Sequence, residues 1–182
     1  MRVCLDLNIW CAEFLARRSG RANTAAQAIV AAVRGGATPE PIPLVISWGM
    51  LDRLGQVARR QFGFSQEAAA ALTDAIAGYA ETGPSLLLGG LGVLPIHDPE
   101  DRHVLETAWA GRARALVTAD FAGFLSADAH VVIPERLAWL HRADRRLHLI
   151  HPFAFAAWLR GERVEGFEPG NPTDTTSRPG GG

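Results

Sequence analysis

Residues Asp98–Asp120 read DPEDRHVLETAWAGRARALVTAD. The opening is a helix start. Asp98 suits the N-cap, Pro99 the first helical position, and Glu100 and Asp101 the first turn, where acids complement the helix dipole. The helix predicted from there stops around Gly111. Ala113–Thr118, ARALVT, then reads as a short buried strand, with Asp120 two residues beyond it. A capped helix handing over to a buried strand is the repeating step of an α/β protein.

The same step recurs on both sides. Val3–Trp10, VCLDLNIW, reads as a buried strand interrupted by one charge, Asp6, and one amide, Asn8. Burying an unpaired carboxylate is costly, so Asp6 has a partner or sits where the strand opens into a cleft. In open α/β sheets that cleft lies at the carboxyl ends of the strands. Residues 11–34 read as helical, with SGRANT (Ser19–Thr24) as a break. Pro43–Ser47 is predicted as a strand and Ser47 as the N-cap of a helix, WGMLDRLGQVARRQF, with Asp52 in its first turns. Ser65 caps a further helix to about Ala80, and Val93–His97 is predicted as a third strand. Pro134–Arg145 is predicted as a helix, Leu147–His151 as a strand and Pro152–Leu159 as a last helix. From Gly166 the chain is rich in Pro, Gly and Thr, the composition of a disordered tail. The expectation is one domain over residues 1–165 and a tail over 166–182. With strands and helices alternating and no run of hairpins, the predicted class is an α/β three-layer sandwich with a mostly parallel central sheet.

Composition narrows the function. With 18 basic and 19 acidic residues the net charge is −1, which argues against a protein that coats nucleic acid by charge alone. Every basic residue is Arg, so chemistry through a lysine amine is excluded. Cys4 and Cys11 form neither a disulfide framework nor a zinc spacing, and they read as buried, reduced thiols of a cytoplasmic protein. No signal-peptide pattern opens the chain, and no apolar run approaches the ~20 residues of a membrane span.

Four carboxylates fall where a strand ends or the next helix begins: Asp6, Asp52, Asp101 and Asp120. Brought to one sheet edge they repel one another and need protons or cations between them. Mg²⁺ and Mn²⁺ suit such oxygen ligands. Acids plus a divalent ion, with no Lys and no suitable thiol, point to metal-assisted phosphodiester hydrolysis. Each residue also has a purely structural explanation. Asp98 reads first as a cap, Asp52 and Asp101 as first-turn acids, and Asp120 as a turn residue. His97 and His103 read as surface or supporting residues, Glu106 as solvated, and Trp48, Trp109, Trp139 and Trp158 as helix packing. Arg59-Arg60 and the Arg142–Arg146 cluster are solvated faces that double as candidate phosphate contacts. A phosphorelay receiver would need a Lys, and a dinucleotide fold would need G-x-G-x-x-G after the first strand; both are absent.

In order and spacing these pieces resemble the PIN domain, the fold of ribonuclease toxins in bacterial toxin–antitoxin pairs. LDLNIW is similar to the family's opening strand, and SWGMLDRLGQV to the segment with its second acid. DPEDRHVLETAWAGRARALVTAD is similar to its most recognisable stretch, and HPFAFAAWL to the closing segment of one bacterial subgroup. The resemblance implies that Asp6, Asp101 and Asp120 bind Mg²⁺ or Mn²⁺ and that Asp52 fills the second acidic position. It also implies that Asn8, Thr118 and Asp98 support these ligands by hydrogen bonds. Arg59, Arg60 and Arg102 are candidate RNA contacts. The implied activity is endoribonuclease cleavage, with an antitoxin protein and a second copy of the chain as partners. Two departures stand out: Asp52 replaces the usual Glu, and Arg102 and His103 follow Asp101 where the subgroup runs further Asp. They motivate an alternative, a catalytically weakened module that binds RNA or a protein.

Overall fold

The first strand is shorter than VCLDLNIW suggests. In the computed structural model, which describes residues 1–36, 42–80, 99–125, 129–142 and 145–169, β1 spans only Val3–Leu5 and α1 begins at Leu7 and runs to Arg18. The cause is Asp6, whose carboxylate accepts the Leu7 N–H and caps the helix. The apolar run continues across this boundary because Ile9 and Trp10 bury on the helix as β1 buries in the sheet. A short apolar run does not distinguish the two by period alone.

The SGRANT break is real. Gly20 and Asn23 adopt positive φ, and a capping box between Thr24 and Gln27 starts α2 (Ala25–Val33). β2 is Leu44–Val45, and Ser47 caps α3 (Trp48–Phe62) by accepting the Met50 N–H. Ser65 caps α4 (Gln66–Ala77) in the same way. α5 spans Pro99–Ala110, β3 Ala115–Val117, α6 Phe121–Phe124, β4 Ala129–Ile133, β5 Leu137–Arg142, β6 Arg145–Ile150 and α7 Pro152–Leu159. The strand expected at Val93–His97 and the Asp98 cap lie outside the described residues.

The six strands form one sheet in the order β2-β1-β3-β6-β5-β4. β2, β1, β3 and β6 are mutually parallel, while β6-β5 and β5-β4 pair antiparallel. The described residues thus form an α/β fold with a mostly parallel sheet and seven helices. The first crossover leaves β1 for the edge and the second returns past it to β3. Right-handed connections therefore put α1-α2 and α3-α5 on opposite faces. α2 packs against α1 and α7, and α3 against α4 and α5. No described helix is long and apolar enough to cross a membrane.

Three expectations need correction. Pro134–Arg145 is not a helix but a turn followed by β5, so Trp139 lies on a strand. Leu137 and Ala138 are fully buried in this strand, and pairing on both sides overrides the helical spacing of its apolar residues. Consecutive hairpins do occur, as β4-β5-β6. The domain also extends past residue 165. Phe167 is 5% exposed, its ring set against His148, Phe155 and Trp158 at centroid distances of 5.2, 6.1 and 5.5 Å.

Candidate active site

Register builds the site. β1 pairs with β3 so that Leu5 lies beside Val117, and the Asp6 N–H donates to the Val117 carbonyl. The next residues, Asp6 and Thr118, therefore meet at the carboxyl edge, where the chain order switches from one side of β1 to the other. Clefts open at such switch points.

Thr118 is fully buried and uses its whole hydrogen-bonding capacity there. Its hydroxyl donates to Asp6 Oδ2 at 2.7 Å and accepts from Asn8 Nδ2 at 3.1 Å and the Asp120 N–H at 3.0 Å. Asn8 also donates to Asp6 Oδ2 at 2.6 Å and accepts the Ala119 N–H at 3.3 Å. Asp6 Oδ1 accepts the Leu7 N–H at 2.6 Å. Its carboxylate is thus fixed in direction by three donors. Burial nevertheless pushes the Asp6 carboxyl above the usual carboxylate range; the Thr118 and Leu7 bonds oppose that, and the Asp120 charge adds to it.

Asp120 caps the short α6 by accepting the Gly123 N–H at 3.3 Å. Gly123 is the point where Asp101 and Asp120 meet. A Cβ placed on it would collide with Asp101 Oδ2 and lie 3.4 Å from Asp120 Oδ2. Asp101 stands in the first turn of α5 and shares with Asp6 a cleft of about 270 Å³. All three acids thus sit at helix starts, where the dipole offsets part of their repulsion.

The other walls of the cleft include Gly49, Met50, Arg53 and His103. His103 Nε2 lies 2.9 Å from Ser47 Oγ, and a Cβ on Gly49 would come within 2.5 Å of that nitrogen. Only a residue without a side chain lets the ring lie against α3. His103 is therefore built into the wall of the cleft.

Asp52 is not among these residues. It is exposed, accepts from Gln56 Nε2 at 2.8 Å, and lines a separate groove between α3 and α4 with Trp48 and Arg59. On α3 the residue that lines the acid cleft is Arg53, next in sequence. Arg59 lies in the outer groove, Arg60 is exposed in the last turn of α3, and Arg102 is not among the residues lining the acid cleft. Sequence reasoning passed over Arg53. Nothing in the residue pattern of α3 marks it out from Arg59 and Arg60. Arg145 and Arg146 lie over Trp109 and Trp139 at 4.7 and 4.4 Å, so part of the Arg142–Arg146 cluster packs on rings. Cys4 is fully buried beside the site, and burial followed by the Asp6 charge pushes its thiol far up, so it is no nucleophile.

The donor set is all carboxylate oxygen, which suits a hard divalent cation. Among the described residues no three acidic, imidazole or thiol groups converge tightly enough to grip one ion directly. An ion that keeps several waters, as Mg²⁺ does, fits a pair of near carboxylates backed by a third.

A family model for the PIN domain matches residues 2–122, the stretch from β1 to α6 that carries all four acids. No curated protein matches the chain.

Proposed function

The chain belongs to the PIN domain family, and from that premise we propose that it is a metal-dependent endoribonuclease, acting in the cytoplasm as the toxin of a toxin–antitoxin pair. Members of the family are typically metal-dependent nucleases. The observation that carries the reading is the meeting of Asp101 and Asp120 over Gly123, with Asp6 on the same cleft as Asp101. Asp101 and Asp120 would hold Mg²⁺ or Mn²⁺, and Asp6 would reach it through water. When bound, the ion supplies polarisation of a phosphoryl oxygen and an acidified water. Thr118 and Asn8 hold the Asp6 carboxylate in one direction, so no reorientation is needed as substrate arrives. Arg53 places a guanidinium on the cleft wall, where it suits a backbone phosphate. A cognate antitoxin protein and a second copy of the chain are the partners this reading proposes, from the likeness to ribonuclease toxins and from the dimers that PIN-like proteins often form.

Cleavage of a labelled RNA in Mn²⁺ tests this. Asp6→Asn and Asp120→Asn should each lower the rate by about a hundredfold or more, the scale of losing a metal ligand or its orienting partner. Both should also weaken Mn²⁺ binding measured by paramagnetic resonance. Unchanged cleavage in either variant would refute the assignment.

The second reading, a weakened module that binds RNA or protein, is favoured by Asp52, which leaves the cleft without a fourth acid from α3. RNA binding with no cleavage in either Mg²⁺ or Mn²⁺ would decide for it.

A further inference from the structure

The parallel strands end side by side in the order β2-β1-β3-β6. The two inner ends carry the acids. The two outer ends each carry an exposed aromatic ring that the core does not use. Trp48, first residue of α3 after β2, is 47% exposed, and Phe153, in the first turn of α7 after β6, is 64% exposed. Among the described residues five large hydrophobic side chains are exposed; the other three are aliphatic. The neighbouring aromatics of α7 are spent differently. Phe155 is fully buried and stacks on Trp158 at 5.5 Å.

Each exposed ring has polar company suited to a nucleotide. Trp48 opens on the groove that also holds Arg59. Phe153 lies 5.1 Å from the His151 ring, whose Nδ1 accepts the Phe153 N–H at 3.3 Å and fixes the start of α7. The His151 N–H donates to the Arg136 carbonyl, and the exposed Arg136 side chain, after burial, helps hold the imidazole below its usual range. The His151–Phe153 pair thus presents a largely uncharged ring surface beside a cation. On the same helix as Trp48, Arg53 stands on the wall of the acid cleft. Stacking rings beside cations are what a single strand, with its open bases and its phosphates, can use.

We infer that Trp48 and the His151–Phe153 pair are base-stacking platforms at the two outer strand ends, each holding an unpaired base of the single-stranded RNA that the nuclease reading implies. The spacing agrees. Three strand separations lie between the β2 and β6 ends, about 14 Å in all, which a short run of extended nucleotides bridges. A duplex keeps its bases stacked on one another and offers these rings no face. The inference builds on the proposed nuclease reading, because it takes the acid cleft as the point of cutting.

The test is binding in chelator, where no cutting occurs. A labelled twelve-nucleotide oligouridine, an oligoadenine of the same length and a hairpin duplex are titrated with the full chain and read by fluorescence anisotropy. Trp48→Ala and Phe153→Ala should each weaken single-strand binding between about fivefold and a hundredfold, the range for losing one stacked base. Trp48→Phe and Phe153→Tyr should restore most of it. Leu15→Ala and Val131→Ala, which remove equally exposed aliphatic groups elsewhere, should change nothing. Single-strand binding indifferent to both aromatics, or a duplex that binds as well, overturns the inference. So does self-association, measured by sedimentation, that Trp48→Ala or Phe153→Ala abolishes while RNA binding stays intact, since the rings would then serve a protein contact. The two readings fail separately. Aromatic-dependent binding without Mn²⁺ cleavage removes the nuclease and keeps the platforms. Cleavage lost in Asp120→Asn but untouched by the aromatic variants does the reverse.

Discussion

β6 is shared by two kinds of sheet. On one side it joins β3, β1 and β2, parallel strands of which the last three are only two or three residues long and wholly buried. On the other it joins β5 and β4, longer antiparallel strands with exposed positions and rings on one face. There His130 lies 4.6 Å from Trp139, and Arg146 caps the same indole. In the parallel part every strand of the first three ends in a polar side chain that acts at the edge: Asp6, Ser47 and Thr118. None of the acids comes from β4 or β5, and the family match ends at residue 122, before β4 begins. The contrast separates duties. Parallel strand ends place chemistry, and the antiparallel ribbon holds β6, and with it β3, in place.

Mutations can break that division. The largest stability effect belongs in the ribbon. Leu137 is fully buried on β5, and Leu137→Ala should cost about 2–5 kcal/mol in urea denaturation, as core truncations do. The folded fraction should still cleave RNA at the parent rate. Acid should act in the same region. Burial, then Arg146 and Arg114, push the His148 imidazole down to about 4, against 6.5 when unfolded. A lowered folded pKa means the unfolded chain binds the extra proton first. This contribution is complete above pH 6.5 and is lost as pH falls towards 4, by up to about 3 kcal/mol. His148→Phe should flatten the acid side of the stability curve; an unchanged curve would clear His148 of the role.

Changes at the parallel edge should show the reverse pattern, small in stability and visible in rate. Gly123→Ala drives a methyl into Asp101, and it should slow cleavage by roughly tenfold or more through misplaced ligands. Smallest of all, Asp52→Asn should alter cleavage by less than about threefold, since exposed surface changes are close to neutral. A hundredfold loss there would mean that α3 turns Asp52 into the cleft during turnover.

The sequence made the parallel edge legible for a physical reason. Asp6, Thr118 and Asp120 are polar residues breaking apolar runs, and such breaks mark strand ends. Ser47, Ser65 and Pro99 announced helices because caps are local chemistry. The antiparallel part gave no comparable punctuation. Leu137, Leu140 and His141 repeat at helical spacing, and only pairing with Ile150, Leu147 and Arg146 makes them a strand. Asp52 lies in another groove for a subtler reason. Its place near the start of α3 was right, but a helix turns about 100° per residue, which brings Arg53 to the acids instead. Phe167 was lost among Pro and Gly because burial by Phe155, Trp158 and His148 is a tertiary fact.

The hydrogen bond from Thr118 to Asp6 joins residues 112 apart in the chain. During synthesis from the N-terminus, β1 therefore waits for a neighbour that does not yet exist, and pairing so distant is slow to nucleate. A ribosome-held fragment ending before Thr118 carries Asp6 and Asp101 but neither Asp120 nor the hydroxyl that orients Asp6. The three acids come together only after Asp120 has been made, so the edge stays incomplete while β1, β2 and the helices between them are already present.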